Sequence, residues 1–217
     1  MELAVLGTGS AGRTLAGRLA ELGHHVSIGT RDPDATQARP DYADWAADHP
    51  QVRPATFGAA AAAAEVIINV TNGAAALDVL ALAGADHLDG KVVIDVSNPL
   101  DFSQGMPPTL FVKDTDSLAE QIQRAFPGAR VVKTLNTMNA EVMAHPDLLP
   151  DPGSVFVSGD DAAAKATASG LLTELGHTDV IDLGDLATAR GAEMLLPIWV
   201  RLVGVMGTAR FNFKIVR

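Results

Sequence analysis

Three glycines in the spacing G-x-G-x-x-G, Gly7, Gly9 and Gly12, separate an apolar run at residues 3–6 from a stretch bearing Leu15, Leu19 and Leu22. A turn of this kind grips a diphosphate with its backbone. The first glycine permits the tight turn, the second lets the phosphates approach the main chain, and the third lets the following helix pack on the strand. A helix opening near Ser10 would present unpaired N–H groups and the positive end of its dipole to the anion. The next apolar run ends in Thr30-Arg31, a hydroxyl and a planar guanidinium suited to phosphate oxygens. An arginine there receives the 2′-phosphate of NADP(H), whereas an acid there bonds the ribose 2′-hydroxyl of NAD. The pair favours NADP(H). Asp32 follows immediately, so an NAD reading, or Arg31 as an ordinary surface charge, stays open.

Three further polar clusters follow apolar runs: Thr71-Asn72-Gly73, Ser97-Asn98, and the segment from Asn136 through Met138 to Ala140. In an open parallel sheet, loops beyond the carboxyl ends of strands line the ligand crevice. Thr71 and Asn72 would then lie near the middle of the dinucleotide or its nicotinamide ribose, although Asn-Gly also suits a plain turn. These clusters carry amides, hydroxyls and glycines but no nucleophile with a base. None of the six histidines has metal-ligand spacing with another, so no metal site is expected. Such residues suit hydride transfer between two rings, which needs proximity, alignment and dryness more than acids and bases.

The elements that must hold these residues alternate. Strands are expected at residues 3–6, 26–28, 66–68, 91–96, 130–135, 155–157 and 180–183, with helices between them. Residues 32–54 are polar, with four prolines, and read as loop around a helical piece at 42–48. An alanine-rich stretch at 58–64 reads as a short helix, and residues 101–113 as a loop or lid. Ser117 and Glu120 have capping-box spacing. The whole is a doubly wound α/β fold of the Rossmann kind, with a mostly parallel sheet of six or seven strands. Residues 1–184 form the nucleotide-binding domain, and 185–217 a C-terminal helical extension with a short final strand or tail at 211–216. The apolar helix carrying Trp199 reads either as a subunit contact, making a homodimer, or as packing within one chain.

A net charge of −10 argues against nucleic acid as a partner. The absence of cysteine removes thiolate chemistry and disulfides. The late apolar stretch is interrupted by Pro197 and Arg201, so no membrane span is expected. Met1-Glu2 runs straight into the first strand without a basic leader, which reads as cytoplasmic.

The succession GTGSAG, IGTRD, INVTNG, VVIDVSNPL, VVKTLNTMNA, VSGDD, LLPIWVRL and FNFK resembles the NADPH-dependent oxidoreductases grouped with coenzyme F420-dependent NADP reductase. The resemblance implies that Gly7, Thr8, Gly9, Ser10 and Ala11 wrap the diphosphate, with Thr30 and Arg31 on the 2′-phosphate. It implies that backbone near Met138 and Ala140 grips the nicotinamide carboxamide. It also implies a flat deazaflavin between the loop at Asn136 and the tail near Phe211, with Asn136 close to the transferred hydride. Those reductases are expected to carry a histidine where Asn136 stands and a Pro-Trp pair around Asn72-Gly73. In both respects the chain is similar to the reductase domains of six-transmembrane metalloreductases, which pass electrons from NADPH to a flavin. The expected activity is hydride transfer between NADP(H) and coenzyme F420 or a flavin. The alternatives are an NADP(H)-binding or sensing protein without turnover, and a reductase of a small imine or keto substrate.

Overall fold

The computed structural model describes residues 1–217. The chain opens with β1 (Glu2–Leu6), α1 (Ser10–Glu21), β2 (His25–Thr30), α2 (Pro33–Gln37), α3 (Pro40–Asp48), β3 (Arg53–Thr56), α4 (Phe57–Ala63) and β4 (Val66–Asn69). It continues through α5 (Ala76–Ala83), α6 (Ala85–Leu88), β5 (Val92–Asp95) and a small hairpin of β6 (Leu100–Asp101) and β7 (Thr109–Leu110). Then come α7 (Leu118–Ala125), β8 (Arg130–Thr134), α8 (Ala140–Ala144), β9 (Val155–Ser158), α9 (Ala162–Leu175) and β10 (Val180–Gly184). Helices α10 (Ala189–Met194) and α11 (Leu196–Met206) and an extended tail end the chain.

Eight strands form the main sheet in the order β10-β9-β8-β5-β4-β1-β2-β3, parallel throughout except between β8 and β9. Alternation along each strand sends side chains to opposite faces. Leu3 and Val5 join a core with α1, α3, α8 and α9; Ala4 and Leu6 join one with α4, α5, α6 and α7. Burying each large side chain, such as Leu15 or Leu19, stabilises the fold by about 1.5–3 kcal/mol. The chain runs outward from β1 to β2 and β3, then crosses back to β4 on the other side of β1. That reversal opens the crevice beyond the carboxyl ends of β1 and β4.

The doubly wound reading therefore holds, with two corrections, and of the two readings of residues 211–216 the structure takes the tail. The sheet has eight strands because β3 lies inside the proline-rich stretch read as loop. Its Pro54 is tolerated because β3 is an edge strand paired only with β2. That stretch also contains α2. Residues 211–216 pair with no strand: Ser154 N–H donates to the Phe213 carbonyl at 2.8 Å and Ile215 N–H to Ser154 Oγ at 2.9 Å. The tail follows acidic side chains instead, with Arg210 on Glu141, Lys214 on Asp151 and Arg217 on Asp179. The segment read as lid folds partly into the β6–β7 hairpin.

Candidate active site

In the turn before α1 the groups that could meet a ligand are backbone N–H groups. Gly9 caps α1 without a side-chain bond, and the first intrahelical bond is Arg13 N–H to the Gly9 carbonyl at 3.0 Å. The N–H groups of Ser10, Ala11 and Gly12 donate to nothing within the chain. Space beside Gly9 is open: a Cβ there would meet no atom within 4 Å. Gly12 is the opposite case, since its Cβ would stand 1.9 Å from the Gly7 carbonyl oxygen, so α1 can approach the turn only without a side chain. These features fit a diphosphate on the loop Gly7–Thr8–Gly9–Ser10–Ala11–Gly12.

The end of β2 separates the candidate nucleotides. Asp32, the residue that left NAD open, caps α2 by accepting the Ala35 N–H at 3.0 Å. Thr30 is buried, and its hydroxyl shares a 2.7 Å hydrogen bond with that of Thr36. Arg31 is exposed and belongs to no ion pair. Two arginines that sequence reasoning passed over stand nearby. Arg39 reaches Thr8 Oγ1 at 3.5 Å and Asp41 at 2.8 Å, and Arg13 reaches Asp41 Oδ2 at 3.1 Å. Their signal was faint, because neither follows a strand end.

Farther along the crevice, Ala11, Thr71, Asn72, Gly73, Ser97 and Asn98 line a cavity of about 300 Å³, closed on its apolar side by Leu100, Phe102 and Met143. Gly73 is required here as well: a Cβ would lie 1.9 Å from the Asn98 carbonyl oxygen. Asn72 spends its Oδ1 on the Ala74 N–H at 3.0 Å, as the turn reading allowed. Thr71 Oγ1 donates to Asn69 Oδ1 at 2.7 Å.

Asn136 does not open onto this cavity. It is 2% exposed, and its Nδ2 donates to Asn98 Oδ1 and to the Ala192 carbonyl, each at 3.0 Å. Asn98 Nδ2 in return donates to the Asn136 carbonyl at 2.9 Å. The preceding residue, Leu135, holds φ +60°, a left-handed conformation costly for a bulky side chain. Met138 has its side chain in the core while its N–H donates to nothing in the chain, and Ala140 opens α8 behind the Asn139 cap. Phe211 is also placed apart from the cavity, stacked on Trp199 with ring centroids 5.6 Å apart. The aromatic ring on the cavity wall is Phe102, which sequence reasoning did not single out.

Beneath the cavity lies a buried polar row that sequence reasoning missed entirely. Asn69, Asp95 and Lys133 are register partners on β4, β5 and β8. Asn69 Nδ2 donates to Asp95 Oδ1 at 2.8 Å, and Lys133 Nζ to Asp95 Oδ2 at 2.8 Å, to Glu193 Oε1 at 2.9 Å and to the Ser97 carbonyl. Glu193 also accepts the Leu118 and Ala119 N–H groups at 2.9 and 3.2 Å. Burial alone would lower the lysine pKa, but the two carboxylates outweigh it and raise it, so Lys133 stays an ammonium. The available signal was a polar residue at or near the carboxyl end of each of three otherwise apolar strands: Asn69 after VII, Asp95 after VVI and Lys133 after VV. No group of three or more His, Cys, Asp or Glu side chains is arranged to hold a metal ion.

The family model described as NADP oxidoreductase, coenzyme F420-dependent, matches residues 2–99. The F420-dependent NADP reductase of Methanothermobacter marburgensis is 32% identical over 209 residues, 93% of this chain and 92% of that protein. The chain belongs to the F420-dependent NADP reductase family. It is accordingly an NADP-dependent oxidoreductase, and the family's second substrate is coenzyme F420. An Arthrobacter sp. FB24 crystal structure, provisionally described as an F420-dependent NADP reductase, is 61% identical with a TM-score of 0.98 over the whole of both chains. The metalloreductase STEAP3 of Rattus norvegicus is 31% identical over 204 residues. Those cover 91% of this chain but only 38% of that longer protein. No helix of this chain is long and apolar enough to cross a membrane.

Proposed function

We propose that this chain transfers a hydride between NADP(H) and coenzyme F420, with a flavin as the second acceptor to test. The observation that carries the reading is the near full-length likeness to the methanogen reductase, joined to a phosphate loop whose N–H groups are free. The amides of Ser10, Ala11 and Gly12 hold the diphosphate. Arg31, beside Thr30, takes the 2′-phosphate. Thr71, Asn72 and Asn98 border the nicotinamide ribose, and the N–H groups of Met138 and Ala140 fix the carboxamide. When bound, the nicotinamide supplies the hydride. The protein's share is to hold the donor and acceptor rings parallel, close and away from water. Leu100, Phe102 and Met143 give the cavity its apolar wall. In this reading Phe102 is the ring that flanks the acceptor, Phe211 packs the extension through Trp199, and Asn136 orients its loop without touching the reacting atoms.

Residues 1–184 serve as the nucleotide-binding domain and 185–217 as the extension closing the acceptor side. Among the residues of α11 only Leu196 is buried, while Ile198, Val205 and Met206 are exposed, which supports a homodimer through that helix. A cytoplasmic location is part of the proposal and is tested by cell fractionation. The decisive assay follows NADPH oxidation with F420, FMN and FAD in parallel, and NADH as the control donor. Turnover with F420 and a preference for NADPH is the expected outcome. Binding of NADPH with no turnover by any acceptor would sink the reading.

A further inference from the structure

The triad of Asp95, Lys133 and Glu193 lies outside the set of groups that would touch a nucleotide, yet it joins every loop that does so on the nicotinamide side. Asp95 Oδ1 accepts Ser97 Oγ at 2.6 Å and Asn69 Nδ2 at 2.8 Å. Asn69 in turn accepts the Thr71 hydroxyl. Lys133 holds the Ser97 carbonyl, and residue 192, next to Glu193, accepts the Asn136 amide at 3.0 Å. The loops after β4, β5 and β8 are thereby tied to one turn of α10, although they are separated from it by as much as 120 residues of chain.

Stability alone does not account for such an arrangement. Lys133 and Asp95 side chains are wholly inaccessible and that of Glu193 is 2% exposed. Desolvating three charges costs about as much as their attraction returns, and apolar residues of similar volume often stabilise as well or better. The triad has two anions and one cation, the second anion being met by the N–H groups at the amino end of α7. What the charges do achieve is direction. All three Lys133 protons are assigned, and each assignment fixes the position of one element relative to another.

We propose that Glu193 is a positioning residue: through Lys133 it docks α10 against the three crevice loops and so sets the alignment of donor and acceptor rings. This rests on the hydride-transfer reading above. The test is Glu193→Gln, which keeps the shape but removes the charge that holds Lys133. NADPH binding, whose main contacts lie at the adenosine end, should stay within about twofold. Single-turnover hydride transfer should fall between about tenfold and a hundredfold, the scale of a small misplacement. Hydrogen exchange should quicken together in the loops at 70–73, 96–98 and 136–140, and remain unchanged in α2 and α3.

An unchanged transfer rate, or quickened exchange throughout the chain, would overturn the proposal. Should the glutamine variant fail to fold, the same readings on Glu193→Asp decide it, with a wild-type rate again counting as refutation. If the wild-type protein itself turns over no acceptor, the hydride-transfer reading fails. The exchange pattern still decides the docking role.

Discussion

At the proposed adenosine end of the crevice the candidate ligand groups come from residues 7–39 and are unpartnered backbone N–H groups and exposed cations. At the nicotinamide end they come from residues 69–193, and buried side chains linked across three strands hold them in place. The first end is local in sequence, and the N–H groups of Ser10, Ala11 and Gly12 donate to nothing within the chain. The second is assembled only when distant segments meet, and its side-chain hydrogen bonds are already made among themselves. Binding energy can thus come from one end while alignment comes from the other.

Lys133→Met should reach this contrast hardest. It leaves two carboxylates buried without their cation, a loss of about 3–5 kcal/mol of folding stability, read as a lowered denaturation midpoint. A midpoint near wild type would mean that the triad carries no such coupling. Arg31→Ala strikes the other end. NADPH binding should weaken by about 1.5–3 kcal/mol with the loss of a charge-assisted contact, while NADH binding and stability stay put. Titration showing equal weakening of both nucleotides would remove Arg31 from the 2′-phosphate.

Gly12→Ala should cost about 1–3 kcal/mol, because its methyl would sit 1.9 Å from the Gly7 oxygen and force α1 away. Here NADPH and NADH should weaken alike, separating a backbone defect from a specificity defect.

The smallest effect concerns the tail. Arg210 holds the Glu141 carboxyl below its ordinary range. The Gly153 N–H and then Lys214 do so for Asp151, and the Ser154 hydroxyl and then Arg217 for Asp179. Because the folded values are depressed, these attachments are at full strength above the ordinary carboxylate value of about 4 and are lost as pH falls through the lowered ones. Trp199 emission, measured in a Trp45→Phe background, should therefore hold steady down to that pH and change below it. A change near neutrality would show that other groups dock the tail.

The glycine turn and the position of Arg31 at a strand end were legible because their signals are short. Gly7, Gly9 and Gly12 lie within one turn, and Arg31 follows a strand end. The cap formed by Asp32 on Ala35 was not legible, since an acid after a strand reads equally well as a ribose ligand until α2 is seen. Edge strand β3 escaped because Pro54 argues against a strand unless one knows that nothing pairs on its far side. At the other end Thr71, Asn72 and Asn98 were found from their positions after apolar runs. The commitments of Asn136 were not, because its partner Ala192 lies 56 residues away.

By itself the sequence determined the alternation of strands and helices and the glycine turn that opens α1. Each of these follows from steric or periodic rules acting over a few residues. Only the tertiary structure decided that Asp95, Lys133 and Glu193 share one buried site, that Phe102 and not Phe211 faces the cavity, and that Asp32 is spent as a cap. Those outcomes depend on which segments meet, and a charge or ring on a linear chain carries no record of its neighbour in space.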